Sequence, residues 1–501
     1  MAVNFRANVV ANYGGQIVAS ALGFALAPLF VEELGLEAWG LVGILAMLSA
    51  WFNLVDVGLT PAITLEIARN AKGADSAALA GELVRCVEVI YLGIGLLIVA
   101  LLALGADSIA TGWLQLGSLA APEAGLSIAL MGLIIALRLY ENIYRSILSG
   151  FQELVTLNAM STVLALLRWG GGLAFVMMSG TGVVGLFAWQ AGAAAVSLAC
   201  FGLVARRRLH RLCPVAKLDF TALRRIQRFA SGIAATSILG LLLTQVDKIL
   251  LSKLLSLADF GLYMLAASLA DALALLAAPL YGALLPRFVQ LTQQADERVI
   301  ADLYLRVSQL LAAVLTPCAL LLVLLGADVV TAWTGSGTLA LQLAPLLALL
   351  AFGRMINAFM QIPAALQVAS GWTSLGAKLN LVAVIVLVPL ILFTVPTYGA
   401  IAYGWCWVAL NIGYLLAGTW LMHRRLLPEV RDRWLFEAVL GPIALAAAWM
   451  AAARWLIDLP ASRPALAGAL CALLLCAIAT VALALPTPRA LLRALPLSSR
   501  A

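Results

Sequence analysis

Long apolar windows separated by short polar loops constrain this chain more than any other feature. A helix needs about 20 residues to cross the hydrocarbon core of a bilayer. Fourteen windows of that kind are present, with approximate limits 9–31, 39–60, 87–106, 125–144, 161–179, 183–205, 230–251, 260–285, 307–326, 339–362, 379–395, 399–422, 438–457 and 466–485. Strands of a membrane barrel would be half as long and would alternate in polarity, so every window is predicted helical. Only 11% of the 501 residues are charged and 64% are hydrophobic, whereas about a quarter of a soluble domain is charged. The predicted class is an all-α integral membrane protein with 14 transmembrane helices.

The first window follows Arg6, contains Asn12 and Gln16, and has Pro28 just after the Ala-x-Ala site at Ala25–Ala27. It is read as a retained span rather than a removed signal peptide. With the N-terminus inside, 24 of the 31 lysines and arginines fall on the inner side and only Lys253 and Arg463 on the outer. This asymmetry predicts a multi-pass chain with both termini cytoplasmic. Trp39, Trp113, Trp333 and Trp455 fall near the outer boundary, where an aromatic belt belongs.

The longest basic stretch, Arg206 to Phe229, reads as a cytoplasmic linker or an interfacial helix beginning at Asp219. It divides the chain. On its two sides "LGLEAWGL" (Leu34 to Leu41) recurs as "LSLADFGL" (Leu255 to Leu262), 221 residues later. Arg138 likewise corresponds roughly to Arg354. Six spans per repeat is an even number, so the halves keep one orientation, and a binding site near the midplane is expected. The expected domains are a six-helix lobe over 1–205, the linker over 206–229, a pseudo-symmetric six-helix lobe over 230–422, and two further helices with a tail over 423–501.

Seven scattered cysteines with no CxxC spacing argue against a disulfide framework or a zinc site. His210 and His423 are placed in polar loops, so neither a metal nor a buried histidine relay is expected. There is no P-loop, and the outer loops are too short to hold a catalytic domain. The expectation is a non-enzyme without cofactors.

An ionisable side chain inside a span costs at least about 2.5–3.5 kcal/mol at its centre and usually faces a bundle interior or a wet cavity. The candidates are Asp56, Arg138, Glu141, Arg168, Asp247, Lys248, Asp271 and Arg354. Arg138, Glu141 and Arg145 are three and four apart and share one helix face. Glu141 can pair with either arginine, which makes the set either a self-neutralising salt bridge or a cavity wall with one guanidinium free. Arg168 and Arg354 have no acid three or four residues away, so their partners must come from elsewhere, unless Arg354 snorkels. Asp247 and Lys248 are neighbours and point about 100° apart. Arginine suits phosphate because its planar fork donates two parallel hydrogen bonds. Arg138, Arg168 and Arg354 are therefore expected to face a central cavity, with Glu141 restraining Arg138.

The opening two spans ("NVVANYGGQIVASALGF" onward), "QVDKILLSKLLSLADFGLYMLA" (Gln245 to Ala266) and "YRSILSGFQ" (Tyr144 to Gln152) resemble polysaccharide transporters. These are the Wzx-like lipid-linked oligosaccharide flippases of the multidrug/oligosaccharidyl-lipid/polysaccharide exporter superfamily. The resemblance covers roughly residues 4–430. It implies alternating access by two lobes and a substrate of undecaprenyl-diphosphate-linked glycan bound for O-antigen, capsule or exopolysaccharide. Its implied partners are that lipid-linked glycan, the bilayer, and the glycan polymerase and chain-length machinery, with no nucleic acid. A proton- or sodium-coupled multidrug exporter of the same superfamily is the alternative, with Asp56, Glu141, Asp247 and Asp271 as coupling acids. A non-transporting scaffold for glycan assembly is a third.

Overall fold

The computed structural model describes residues 5–56, 59–70, 74–212, 245–294 and 296–489. Among these the regular structure is helical throughout, with one isolated bridge between Gln115 and Ser256. In lipid this is the natural solution for an open chain, because a helix satisfies every backbone hydrogen bond within its own segment. Twelve helical stretches of the described residues are long and apolar enough to cross a membrane. The fold is that of a multi-pass membrane protein.

The chain packs as two compact units, Met1–Gly261 and Leu262–Ala501. The first unit begins with α1 (Phe5–Phe52), which is really two helices meeting at Gly35, whose φ of 83° and ψ of 173° lie outside the helical region. Only glycine takes such a conformation readily, and the break falls where the first two spans were separated in sequence. A 3₁₀ turn (Asn53–Asp56) and a short helix, α2 (Leu59–Asn70), follow. Then come α3 (Ala74–Gly112), α4 (Ala121–Gly150), α5 (Leu154–Ser179) and α6 (Gly182–Leu212). Helical backbone over 245–254 is α7. The predicted seventh span (230–251) and the linker helix at Asp219 lie largely or wholly outside the described residues.

Helix α4 is the central post of this unit, packing against α3, α6 and α2, while α1 packs against α5. Its buried side carries Ile128, Met131, Ile134, Leu139, Ile143 and Ile147. The polar residues Arg138, Glu141, Asn142 and Arg145 follow at the same helical spacing beside that seam.

Residues of the two repeat segments meet within this unit. A Cβ on Gly40 would lie 2.8 Å from Leu257 Cδ1 and against the Leu257 carbonyl. A Cβ on Gly261 would meet the Leu36 carbonyl in turn. Leu257 is Leu36 moved by 221 residues, and Gly261 is Gly40 moved by the same offset. This exchange of partners is the mark of a local two-fold contact.

The second unit contains α8 (Leu257–Asp271) from Leu262 onward, α9 (Ala274–Gln294), α10 (Glu297–Leu324), the short α11 (Gly326–Thr334), and α12 (Gly337–Phe359) with α13 (Gln361–Ala369). Helices α14 (Thr373–Tyr398) and α15 (Ala400–Gly413) follow, and a π turn (Tyr414–Gly418) leads into α16 (Thr419–Leu426). A single turn, α17 (Arg431–Arg433), a second π segment (Trp434–Leu440), α18 (Gly441–Leu456) and α19 (Arg463–Ala484) complete it. Asp296 caps α10 by accepting from Val299 N at 3.1 Å. Helix α10 packs against α12, α18, α19 and α9.

The eighth span was read as one helix over 260–285, and the backbone corrects this. It stops at Asp271 and resumes at Ala274, with tight turns such as Leu275 N to Ala272 O at 3.2 Å. Pro279 lies within the resumed helix, α9, five residues past its start.

Candidate functional site

The first unit encloses a polar cavity of about 410 Å³. Four elements each give it one stripe. Ser49, Phe52, Asn53 and Asp56 come from the end of α1 and its 3₁₀ turn, and Arg138, Glu141, Asn142 and Arg145 from α4. Ser161, Ala165 and Arg168 come from α5, and Ala193, Ala194 and Ser197 from α6. Steps of three and four residues keep each set on one side of its helix.

Of the two arginines open to Glu141, the carboxylate takes Arg145, with Nη1 to Oε1 at 3.1 Å. A glutamate four residues before a basic residue is the favoured orientation on a helix. The expected restraint of Arg138 by Glu141 is therefore replaced by another contact. Arg138 Nη2 donates to Gln190 Oε1 at 3.3 Å. Gln190 is only 1% exposed, and its Nε2 has no acceptor among the described residues. Arg168 stands over the Trp169 ring at 5.3 Å, and its buried Nε likewise has no acceptor. Neither Arg138 nor Arg168 has a carboxylate within ion-pair distance among the described residues.

Asp56 is held differently. Tyr91 Oη donates to its Oδ1 at 2.6 Å and Asn142 Nδ2 to its Oδ2 at 3.0 Å. Beyond the cavity, Glu88 accepts from Tyr144 Oη at 2.8 Å and pairs with Arg206 at 3.2 Å. Gln190, Asn142 and Tyr91 are not among the sequence candidates, because an amide or phenol carries no charge to betray it, and Glu88 sits at the predicted edge of its span.

The remaining candidates lie elsewhere. Arg354 belongs to the second unit, where Nη2 is 2.6 Å from Asp271 Oδ1 and the guanidinium lies 4.8 Å from the Trp407 ring centre. Its partner thus comes from another helix, as the absence of a local acid required. Asp247 is buried and Lys248 half-buried in α7, and both make further contacts.

His423 corrects the sequence reading outright. Placed in a polar loop, it is 0% exposed. Its Nδ1 lies 2.8 Å from the Thr419 carbonyl and its Nε2 3.1 Å from Tyr304 Oη. A carbonyl can only accept, so Nδ1 carries the proton and Nε2 accepts from the tyrosine. The helix runs on to Leu426, four residues beyond the apolar window, and carries the ring into the packing against α10. A second cavity, of about 780 Å³, lies in this unit between α10 and residues 429–437. Its charges largely satisfy one another, with Arg306–Asp302 at 2.8 Å and Arg433–Glu437 at 3.2 Å.

Among solved structures, the chain is similar to "Lipid II flippase MurJ, inward closed conformation". The TM-score is 0.71 at 11% identity, over 97% of this chain and 99% of that one. It is also similar to an inward-facing multidrug resistance MATE family transporter of the MOP superfamily, with a TM-score of 0.64 at 15% identity, over 83% and 98%. A MATE in complex with MaD5 gives 0.53 at 18% identity, over 84% and 95%. At these identities the likeness establishes the fold. No curated protein matches the sequence significantly. Residues 5–292, more than half of the chain, match the family described as "Polysaccharide biosynthesis protein", and the chain belongs to that family.

Proposed function

We propose that this protein is a flippase. It moves an undecaprenyl-diphosphate-linked oligosaccharide or polysaccharide repeat unit across the inner membrane by alternating access, for O-antigen, capsule or exopolysaccharide synthesis. The observation that carries the reading is the surplus of donors in the cavity of the first unit. Among the described residues Arg138 and Arg168 have no carboxylate partner, and Arg168 Nε and Gln190 Nε2 have no acceptor. Each arginine inside a span costs at least about 2.5–3.5 kcal/mol by insertion scales, and an unmet buried donor about 1–3 kcal/mol. An acceptor-rich dianion such as a diphosphate offsets both at once, whereas an organic cation would add to the imbalance.

The rest of the architecture follows the same reading. Counting the helices on either side of Gly35 separately and including the seventh span gives fourteen crossings. These form two six-helix lobes and a C-terminal pair, with both termini in the cytoplasm. The bilayer and the lipid-linked glycan are the direct partners, and the glycan polymerase and chain-length machinery the functional ones.

The test is direct binding. Purified protein in nanodiscs should bind undecaprenyl diphosphate, and Arg138→Ala with Arg168→Ala should weaken that binding at least tenfold. Unchanged binding in the double variant would overturn the proposal. The multidrug-exporter reading keeps one specific support, the Asp56 carboxylate lining the same cavity. Export of cationic dyes that depends on Asp56 and ignores Arg138 would favour it.

A further inference from the structure

The cavity is not uniformly cationic. Arg138 and Asn142 are one helical turn apart on α4, about 6 Å along the axis. At the level of Asn142 the neighbouring charges of the wall, Glu141 and Arg145, pair with each other. Both oxygens of Asp56 are engaged: Tyr91 donates to Oδ1 and Asn142 to Oδ2. A carboxylate only accepts, so Asn142 must present Nδ2 to it and turn Oδ1 away. That Oδ1 has no donor among the described residues, and the Asn53 amide, exposed on the same wall, has no partner among them either. Phe52, next in the stripe, adds an apolar ring to this wall.

An amide acceptor, a complete amide and an aromatic face, one helical turn from the Arg138 position, match one ligand chemistry. Sugar hydroxyls both donate and accept, and the C–H face of a sugar ring packs on an aromatic side chain. The rise of about 6 Å from Arg138 to Asn142 sets a phosphate site and a sugar site side by side along the helix. We infer that Phe52, Asn53 and Asn142 form a subsite for the first sugar of the lipid-linked glycan, held in place by Asp56, and that it selects an uncharged sugar. This rests on the flippase reading and deepens it.

Selectivity has two sources. Asn142 and Asn53 supply neutral hydrogen bonds suited to hydroxyl or N-acyl groups. Asp56 is a positioning residue that fixes the Asn142 amide, and its negative charge sits behind the ledge. A hexuronic acid here would bring a second carboxylate toward Asp56 in a setting of low dielectric, where like charges repel strongly. The cavity of about 410 Å³ lies at the small end of the usual range for ligand pockets, in keeping with a diphosphate and one sugar rather than a whole repeat unit.

The experiment uses the full chain in nanodiscs and three probes. These are undecaprenyl diphosphate, the same lipid bearing one N-acetylhexosamine, and the same lipid bearing one hexuronic acid. The wild type should bind the N-acetylhexosamine form at least tenfold more tightly than the bare diphosphate, and the hexuronic form no more tightly than the bare one. Asn142→Ala and Asn53→Ala should each move the first ratio toward one. Asp56→Asn should narrow the gap between the two sugars. Asn53 is exposed, so its variant keeps the test decisive where Asp56→Asn fails to fold. Three equal affinities in the wild type, or variants that leave both ratios unchanged, would overturn the subsite while the flippase reading stands. Failure to bind the bare diphosphate at all would bring down both.

Discussion

Gly40 and Gly261 face each other across the contact between the two copies of the repeat: a Cβ built on Gly261 would come within 3.1 Å of the Gly40 nitrogen. Their backbones can approach this closely because neither has a side chain. The reciprocal neighbours, Leu257 for Gly40 and Leu36 for Gly261, make the contact self-complementary. Gly261→Val should overpack it, with a loss of about 1–3 kcal/mol. Gly192 in α6 has nothing within 4 Å of where its Cβ would stand, so Gly192→Ala is the matched control. Thermal unfolding in detergent should show a lower Tm for Gly261→Val and for Gly40→Val but not for the control. Equal Tm values would mean that the backbones separate at no cost.

Glu37 secures the same corner. Its Oε1 accepts from Ser118 N at 2.7 Å and Ser118 Oγ at 2.9 Å, and its Oε2 from Leu119 N at 3.0 Å and Gly117 N at 3.3 Å. Three successive amides form a concave anion site of the kind found in backbone nests. The loop they belong to also holds α7, through Trp113 Nε1 to Ser252 Oγ at 3.1 Å and Gln115 Nε2 to Lys253 O at 2.9 Å. Glu37→Gln keeps the shape and removes the charge. It should raise amide exchange across residues 113–119 severalfold, for a loss of about 1 kcal/mol at this partly exposed site. Unaltered exchange would show the loop to be fixed by α7 alone.

The face of Arg138, Glu141 and Arg145 was legible because helical spacing is arithmetic. Where each arginine finds its partner was not. Gln190 lies 52 residues beyond Arg138 on a helix whose apolar sequence gives no sign that its one amide faces that arginine. Asn142 was hidden for the same reason. The corner at residues 34–41 could be read, since a charged, glycine-bearing loop interrupts two apolar runs. The break after Asp271 could not, since Ala272, Leu273 and Ala274 are as apolar as a continuous span. His423 was misread because hydropathy reports where lipid contact ends, not where a helix ends.

The ion pair between Arg354 and Asp271 ties α12 to the end of α8 in the second unit. The side chains are 26% and 43% exposed, so solvent screens the pair and its net worth is about 1 kcal/mol or less. Arg354 also stacks on Trp407, a contact that survives loss of the acid. Arg354→Ala should therefore cost more stability than Asp271→Ala, and the double variant less than the sum of the two. Additive losses in a double-mutant cycle would show the pair to be uncoupled.

Reporter fusions test the topology. Those after residues 34, 115, 255 and 335 should read periplasmic, and those at 75, 215 and 430 cytoplasmic, as the basic asymmetry requires. An inverted pattern, or an odd number of crossings, would overturn the orientation.

The buried cluster around His423 gives the last prediction. Tyr304 Oη meets His423 Nε2 at 3.1 Å, and Trp434 Nε1 donates to Ser308 Oγ at 3.0 Å, so the ends of α10 and α16 and the π segment before α18 are joined by neutral hydrogen bonds. The rings also pack, with His423 and Trp434 centroids 5.2 Å apart. Tyr304→Phe keeps the packing and leaves Nε2 without a donor, a loss of about 1–3 kcal/mol. His423→Ala removes the ring as well and leaves a cavity, so it should cost more. His423→Phe restores the volume but strands the tyrosine hydroxyl, and should fall between the two. Combining His423→Phe with Tyr304→Phe removes both polar partners together and should recover part of the loss, because two apolar rings leave nothing unsatisfied. Unfolding midpoints in detergent would rank the four variants. A Tyr304→Phe protein as stable as the wild type, or a double variant less stable than either single one, would mean that the hydrogen bond contributes nothing to the clasp.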